Sequence, residues 1–230
     1  MRTLWVSLIR PIIDYCSPLW SPHPTNYGNI DRLESVLRNF SSKVEGIKSL
    51  KYASRLKALK LQSIQRRHER YKIIYIYKIK EGIVPNLPNS PTDSLTNYSL
   101  IFSSSSRNGT RCSIPNPRLH YNPAMIQRQS SFAQTASDLW NSIPPCLSSI
   151  SQLPVVKFKT HLDKFLAQLP DEPRISAPEI YIDINTGRKS NSLWHMKHLP
   201  SIKSIFLNFN NGWNGSSLAG EGLDKVIPHP

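Results

Sequence analysis

The chain has 230 residues, of which 39% are hydrophobic, 19 are proline and 9 are glycine; that length can bury a real core, but the composition suits a folded part joined to a loose one. No run of ~18 apolar residues occurs and the opening lacks a charged-then-apolar leader, which argues against a helical membrane span and a secretory signal and predicts an intracellular protein, in the nucleus and/or cytoplasm. The formal net charge is +14, and residues 31–80 alone contribute +10 of it through 14 basic and four acidic side chains, as expected of a surface that neutralises phosphates.

The first element is an apolar helix. Leu4, Trp5, Leu8, Ile9, Ile12 and Ile13 recur at helical spacing, while Pro11 removes a donor and is expected to kink or break the helix there. Pro18, Pro22 and Pro24 should end it and force an extended turn around Trp20. Such a helix needs a partner surface, and at the start of the sequence it looks truncated.

A second helix is predicted from Ile30 to Val44, on the stripe Ile30, Leu33, Leu37, Phe40 and Val44, with Asp31 complementing the helix dipole. Gly46 breaks the pattern, and a short helix from Tyr52 to Leu59 follows. Ser63 then opens the clearest helix, which runs to Glu81 and stops at Gly82 with Pro85 beyond. In that helix Ile64, His68, Tyr71, Tyr75 and Ile79 form the predicted buried stripe, with His68 at the core edge rather than a ligand. Arg66, Arg70, Ile73, Tyr77 and Lys80 fall on the opposite side. Arginines sharing a face with a tyrosine can hold a nucleic-acid backbone while the ring stacks on a base or sugar; the same spacing also describes a solvated charged face. The surrounding charge favours nucleic acid, and the candidate binding residues are Lys43, Lys48, Lys51, Arg55, Lys57, Lys60, Arg66, Arg67, Arg70, Tyr77 and Lys80.

Residues 86–109, rich in Pro, Ser, Asn and Thr, are predicted to be an exposed loop joining a helical region 1–85 to a second helical region 110–170. Cys112 and Ile114 alternate with polar residues and permit a short strand at 110–118. Phe132, Ala136, Leu139, Trp140 and Ile143 give a helix ended by Pro144 and Pro145, with Trp140 as a core anchor. Pro154 suits a helix start, and Val155, Phe158, Leu162, Phe165, Leu166 and Leu169 give the last helix. Residues 171–230 lose the pattern and are predicted to be a disordered tail. The expected fold is mainly α, a small helical bundle followed by a second helical pair.

Chemistry is conspicuous by what is missing. Cys16, Cys112 and Cys146 lie far apart with no C-x-x-C spacing, so they are expected to be core fillers or free thiols, and His195 with His198 is weak evidence for a metal. No Asp-Asp pair, phosphate-binding Gly loop, nucleophile elbow or His-Glu-x-x-His helix occurs, and no catalytic or metal-binding residue is predicted.

Three blocks carry a family resemblance. Arg10, Pro11, Ile12, Ile13, Asp14, Tyr15, Cys16, Ser17, Pro18, Leu19, Trp20, Ser21 and Pro22 resemble the stretch just after the catalytic palm in reverse transcriptases of non-LTR retrotransposons, LINE-like elements of the jockey type. LESVLRNF, then Leu56, Leu59, Leu61, Ser63, Ile64, Arg66 and Arg67, are similar to the following region of the same enzymes, although Leu37 stands where glutamine is usual. Trp140 and Asn141, then Phe158, Lys159, Leu162, Asp163, Phe165 and Leu166, resemble their closing block. The resemblance covers about residues 4–169. It implies the thumb-like and following region of an RNA-directed DNA polymerase, holding an RNA/DNA template–primer and contacting the palm and fingers; the opening helix would then be the severed joint to the palm, with Trp5, Leu8 and Ile12 exposed for want of their partner and the isolated chain prone to aggregate. The catalytic carboxylates and their magnesium would belong to that palm, so this chain would be inactive alone and bind no cofactor. The competing expectations are a non-enzymatic helical protein-interaction module and a decayed element copy.

Overall fold

The computed structural model describes residues 2–22, 27–86, 100–105, 109–113, 132–171, 173 and 200–211, and the fold is mainly α with one small β-hairpin. The opening helix α1 comprises Arg2–Leu4, a π-helical stretch Trp5–Ile9 and Arg10–Asp14. Arg10 N–H donates to Trp5 O across the π turn, and Pro11 sits in the first turn of the resumed α stretch. There its missing donor is harmless, because the widened turn has already stepped the ladder aside; the helix therefore runs through Pro11 instead of breaking. Cys16, in the left-handed region at φ 50°, reverses the chain into a short helix α2 (Ser17–Trp20). Trp20 thus closes a helical turn, not an extended one, and its Nε1 donates to Tyr15 O at 2.6 Å.

Helix α3 (Tyr27–Ser42) is offset toward the N-terminus from the predicted Ile30–Val44. Asp31 consequently lies past its first turn and accepts from Arg38 Nη2 at 2.7 Å. Helix α4 (Tyr52–Leu59) matches its prediction. Helix α5 (Ile64–Lys80) is capped by Ser63, whose Oγ accepts from Arg66 N, and is followed by Gly82 at φ +70°.

The hairpin pairs β1 (Ile101–Ser105) with β2 (Gly109–Ser113), antiparallel, with Phe102 opposite Cys112. β1 therefore occupies part of the predicted 86–109 loop: a serine run has little strand propensity, and tertiary packing of Phe102 edge-on against Trp140 at 6.2 Å supplies what propensity does not. β2 takes up the start of the predicted strand, and 114–118 lie outside the described residues, as do His195 and His198. Helix α6 (Phe132–Trp140), a short α7 (Pro145–Ser148), α8 (Val155–Gln168) and α9 (Pro200–Asn211) complete the elements of the described residues. α9 falls in the stretch predicted to be disordered. Its Phe206 and Phe209 pack on Phe165 with ring centroids 5.1 and 5.2 Å away, an apolar face that the surrounding Pro, Asn and Gly hide in the sequence.

Two cores result. The first gathers Trp5, Leu37, Tyr52, Leu56 and Ile64, with Ile9, Ile13 and Phe40 at its edge. Trp5, expected to be exposed, is instead 2% exposed. The second gathers the later half of α5 with Leu139, Trp140, Phe158, Leu162 and Phe165. Trp140 is its anchor as predicted: fully buried, it donates from Nε1 to Thr110 O at 2.8 Å, while the Asn141 amide bridges Cys112 N and O. All three cysteines are free thiols, with Cys112 buried. α5 contributes Ile64 to the first core and Ile73, Ile74, Ile76 and Tyr77 to the second, so one helix braces both halves.

Candidate nucleic-acid interface

α5 does not divide into the two expected faces. Ile64 and His68 are buried, but Tyr71, Tyr75 and Ile79 are only half-buried, while Arg66 is 1% exposed and Ile73 and Tyr77 are fully enclosed. The helix is wrapped on several sides, by α2 and α3 near its start and by α6 and α8 further along, and the amphipathic reading assumed a single covering surface. Its cationic side chains therefore act as cross-links. Arg66 Nη2 donates to Pro170 O at 2.9 Å. Arg67 pairs with Asp14 and donates to Tyr71 Oη at 2.7 Å. Arg70 grips Asp163 through two bonds, Nε to Oδ1 at 2.5 Å and Nη2 to Oδ2 at 2.8 Å, a hydrogen-bonded pairing that raises the arginine pKa further. Tyr77 stacks on Phe158 at 3.9 Å and donates to Leu153 O at 2.7 Å. Lys80 Nζ bridges Glu81 and Ile150 O. Arg55, 9% exposed, donates to Ser41 Oγ at 3.2 Å and Leu50 O at 3.3 Å beside the Tyr52 ring. Six of the eleven candidates, Arg55, Arg66, Arg67, Arg70, Tyr77 and Lys80, are thus turned toward the protein itself.

The other five stay in water. Lys43 and Lys48 lie on the turn after α3, Lys51 and Lys60 flank α4 at either end, and Lys57 points outward from it; all five are exposed. Glu45 is the one acidic residue between positions 43 and 60. Among the described residues none of the five lysines is held in an ion pair. α4 is eight residues long, roughly 12 Å, so its flanking lysines span the distance of a few phosphates.

Buried polar groups fix this corner to α5. Glu34, 2% exposed, accepts from Tyr52 Oη at 2.5 Å, Ile64 N at 3.0 Å and Gln65 N at 3.4 Å. Burial pushes its carboxyl up to about 7, against the pull of those donors. Asp171, assigned by sequence to the tail, accepts from Ser63 N at 2.8 Å and Ser63 Oγ at 2.7 Å. The α5 N-terminus therefore meets two carboxylates, which its partial positive charge and free N–H groups favour. Along the seam between the cores, His68 packs edge-on to Trp20 at 5.1 Å, and burial pushes it down to about 4. Lys72, 3% exposed and donating to Ser21 O at 3.3 Å, is pushed down to about 8 by burial. A cavity of about 20 Å³ beside these groups is lined by Ser21, His68, Lys72 and Leu139; it has room for one water and not for a nucleotide.

Protein families, curated proteins and solved structures gave no match to this chain. The site is therefore read on its own chemistry. Among the described residues no group of three or more His, Cys, Asp or Glu is placed to hold a metal ion, and no helix is long and apolar enough to cross a membrane. What the arrangement offers is a rigid helical corner carrying five solvated ammonium groups, which can neutralise a polyanion without reading its sequence.

Proposed function

We propose that the chain binds nucleic-acid backbone through Lys43, Lys48, Lys51, Lys57 and Lys60, as the post-palm region of a LINE-like reverse transcriptase holding its RNA/DNA template–primer. The observation that carries the reading is the density of exposed lysines between positions 43 and 60, none of them ion-paired among the described residues, in a segment that lies within the second resemblance block. Ammonium groups on flexible stems follow phosphates as point charges and give affinity without base recognition. The intact enzyme's catalysis would rest on the magnesium-binding carboxylates of its palm, and this region would supply grip alone. The α5 arginines, grouped with these lysines as candidate binding residues by sequence, hold the helix in place from inside.

The test is a fluorescence-anisotropy titration of a labelled RNA/DNA hybrid against salt. Five phosphate contacts predict a slope of log K against log salt of about −4, so affinity falls ~10²-fold between 50 and 200 mM. Replacing the five lysines by glutamine should remove the slope while leaving the thermal melt unchanged. A hybrid bound with the same slope after that replacement would overturn the assignment. The competing protein-interaction reading places an acidic protein partner on the same basic face.

A further inference from the structure

The β-hairpin has one edge closed and one open. On β2, Cys112 N donates to Asn141 Oδ1 at 3.0 Å, Cys112 O accepts from Asn141 Nδ2 at 2.7 Å, and Thr110 O accepts from Trp140 Nε1 at 2.8 Å, so α6 caps that edge. Backbone groups of successive strand residues point to opposite sides, and Phe102 lies opposite Cys112 and Ser104 opposite Thr110. Phe102 and Ser104 therefore turn their N–H and C=O away from β2, onto the outer edge of β1. Leu100, two residues before Phe102, faces the same way: its N–H donates to Asn86 Oδ1 at 3.0 Å and its C=O accepts from Asn86 Nδ2 at 2.7 Å. The Asn86 amide thus stands where one residue of a third strand would stand. Past Asn86 the edge is unpaired, and among the described residues no group bonds the outward backbone of Phe102 or Ser104. β1 carries none of the prolines or charged side chains that usually block an exposed edge.

We infer that this edge docks an extended peptide of a partner protein as a third strand, with a carboxylate side chain at the peptide's centre. Main-chain bonds to Phe102 and Ser104 hold the peptide, and the alternation of its side chains selects it. Residues opposite Phe102 and Ser104 fall on the side of the sheet where Leu100 and Cys112 are buried and Phe102 is half-buried, which suits small apolar side chains. The residue opposite Ser103 falls on the outer side, in line with Ser103 and its cross-strand partner Arg111. Arg111 is exposed and joins no ion pair among the described residues. Two strand spacings, ~10 Å, separate Arg111 from that central position. The small Ser103 between them lets an extended arginine and a glutamate meet across it. A second copy of this chain fits less well. Pairing two β1 edges about Ser103 would set both Arg111 side chains on one face with no carboxylate between them, and an edge of 5 residues buries far less than the ~1,200 Å² of a stable interface.

This docking edge is independent of the nucleic-acid reading and is tested without nucleic acid, by amide hydrogen exchange followed by NMR on the full chain. The probe is the acetylated, amidated pentapeptide Thr-Val-Glu-Val-Thr. In the free chain the Phe102 and Ser104 amides should exchange fast, while Ser103 and Arg111, which face each other within the hairpin, are protected. At ~1 mM peptide the two edge amides should slow ~10-fold, the response a Kd of ~0.1 mM gives. The peptide Thr-Pro-Glu-Pro-Thr lacks the donors opposite Phe102 and Ser104 and should slow neither. Arg111→Glu should move the response from the glutamate peptide to Thr-Val-Lys-Val-Thr. Ser104→Pro removes an outward donor but no bond to β2, and should abolish the slowing at Phe102 with unchanged circular dichroism. Edge amides already protected in the free chain, protection that grows with protein concentration instead of peptide, no slowing by the glutamate peptide, or equal slowing by the glutamate and lysine peptides would each overturn the proposal.

Discussion

Two buried groups with opposed titrations make the stability of this fold insensitive to pH in a way that single substitutions should expose. Glu34 has its pKa raised from 4.5 to about 7, so the folded state holds its proton more tightly than the unfolded chain. That contribution is fully present below pH 4.5 and is lost as pH rises through 7. His68 has its pKa lowered from 6.5 to about 4, so its contribution is present above pH 6.5 and is lost as pH falls through 4. Each shift is close to 2.5 units, worth ~3 kcal/mol at 1.36 kcal/mol per unit. Between pH 4.5 and 6.5 the two slopes cancel. The groups around Glu34 are Tyr52 and Asp171, and those around His68 are Asp14, Arg67 and Lys72; Lys72, lowered from 10.5 to about 8, changes its contribution only above this window. Urea unfolding at half-unit steps from pH 4 to 8 should show a nearly flat wild type. Glu34→Gln should gain ~3 kcal/mol as pH rises from 4 to 6.5, and His68→Gln should lose ~3 kcal/mol as pH rises from 4.5 to 7. A Glu34→Gln profile as flat as the wild type would refute the reasoning, because it would place the Glu34 carboxyl at its ordinary value.

Other substitutions test the scaffold. Trp140→Phe keeps the ring stacked in the second core but orphans Thr110 O, and should cost ~1–3 kcal/mol in chemical denaturation. Gly109→Ala should lower the melting temperature sharply, since the added Cβ would lie 2.3 Å from Ser148 Oγ and 2.7 Å from Pro145 O at a backbone φ of +67°; an unchanged melt would mean that the hairpin does not rest on α7. The triple variant Arg66→Gln, Arg67→Gln, Arg70→Gln breaks three internal cross-links and should destabilise by at least ~3 kcal/mol. In whatever fraction stays folded, the salt slope of hybrid binding should be that of the wild type.

Much of the scaffold was legible because its signals are local. Ser63 and Gly82 bound α5 through a side-chain cap and a left-handed residue, and both are written in three or four neighbouring positions. The buried stripe of α8, Phe158, Leu162, Phe165 and Leu166, is one-sided and unambiguous. What stayed hidden is set by distant partners. β1 forms because Phe102 finds Trp140, and α9 docks because Phe206 and Phe209 find Phe165; neither contact leaves a periodicity strong enough to see. Trp5 is buried where sequence predicts exposure because the whole of α1 is apolar, and sequence does not say which side of such a helix meets the core. The π turn, which lets α1 pass Pro11, is equally invisible in composition.

The α5 face shows why a run of positive charge is a poor guide to which cations reach solvent, and residue type a better one. Between positions 43 and 70 the arginines Arg55, Arg66, Arg67 and Arg70 are drawn inward, and Lys43, Lys48, Lys51, Lys57 and Lys60 stay outside. The guanidinium is planar, weakly hydrated and presents several donors in a fixed fork, so it can leave water and still satisfy a carboxylate such as Asp163 or a carbonyl such as Pro170 O. An ammonium is compact and strongly hydrated, and it loses more on burial. Lys72 shows the cost: enclosed on α5, it has its pKa pushed down to about 8. A polyanion meeting this protein therefore finds lysines first, although the sequence places the arginines at the centre of the charge. The same partition divides one basic segment in two, with arginines joining α5 to Asp14, Pro170 and Asp163 and lysines left in water. It also fixes the order of sensitivity: charge removal at the arginines registers in the melt, and at the lysines in the salt dependence of binding.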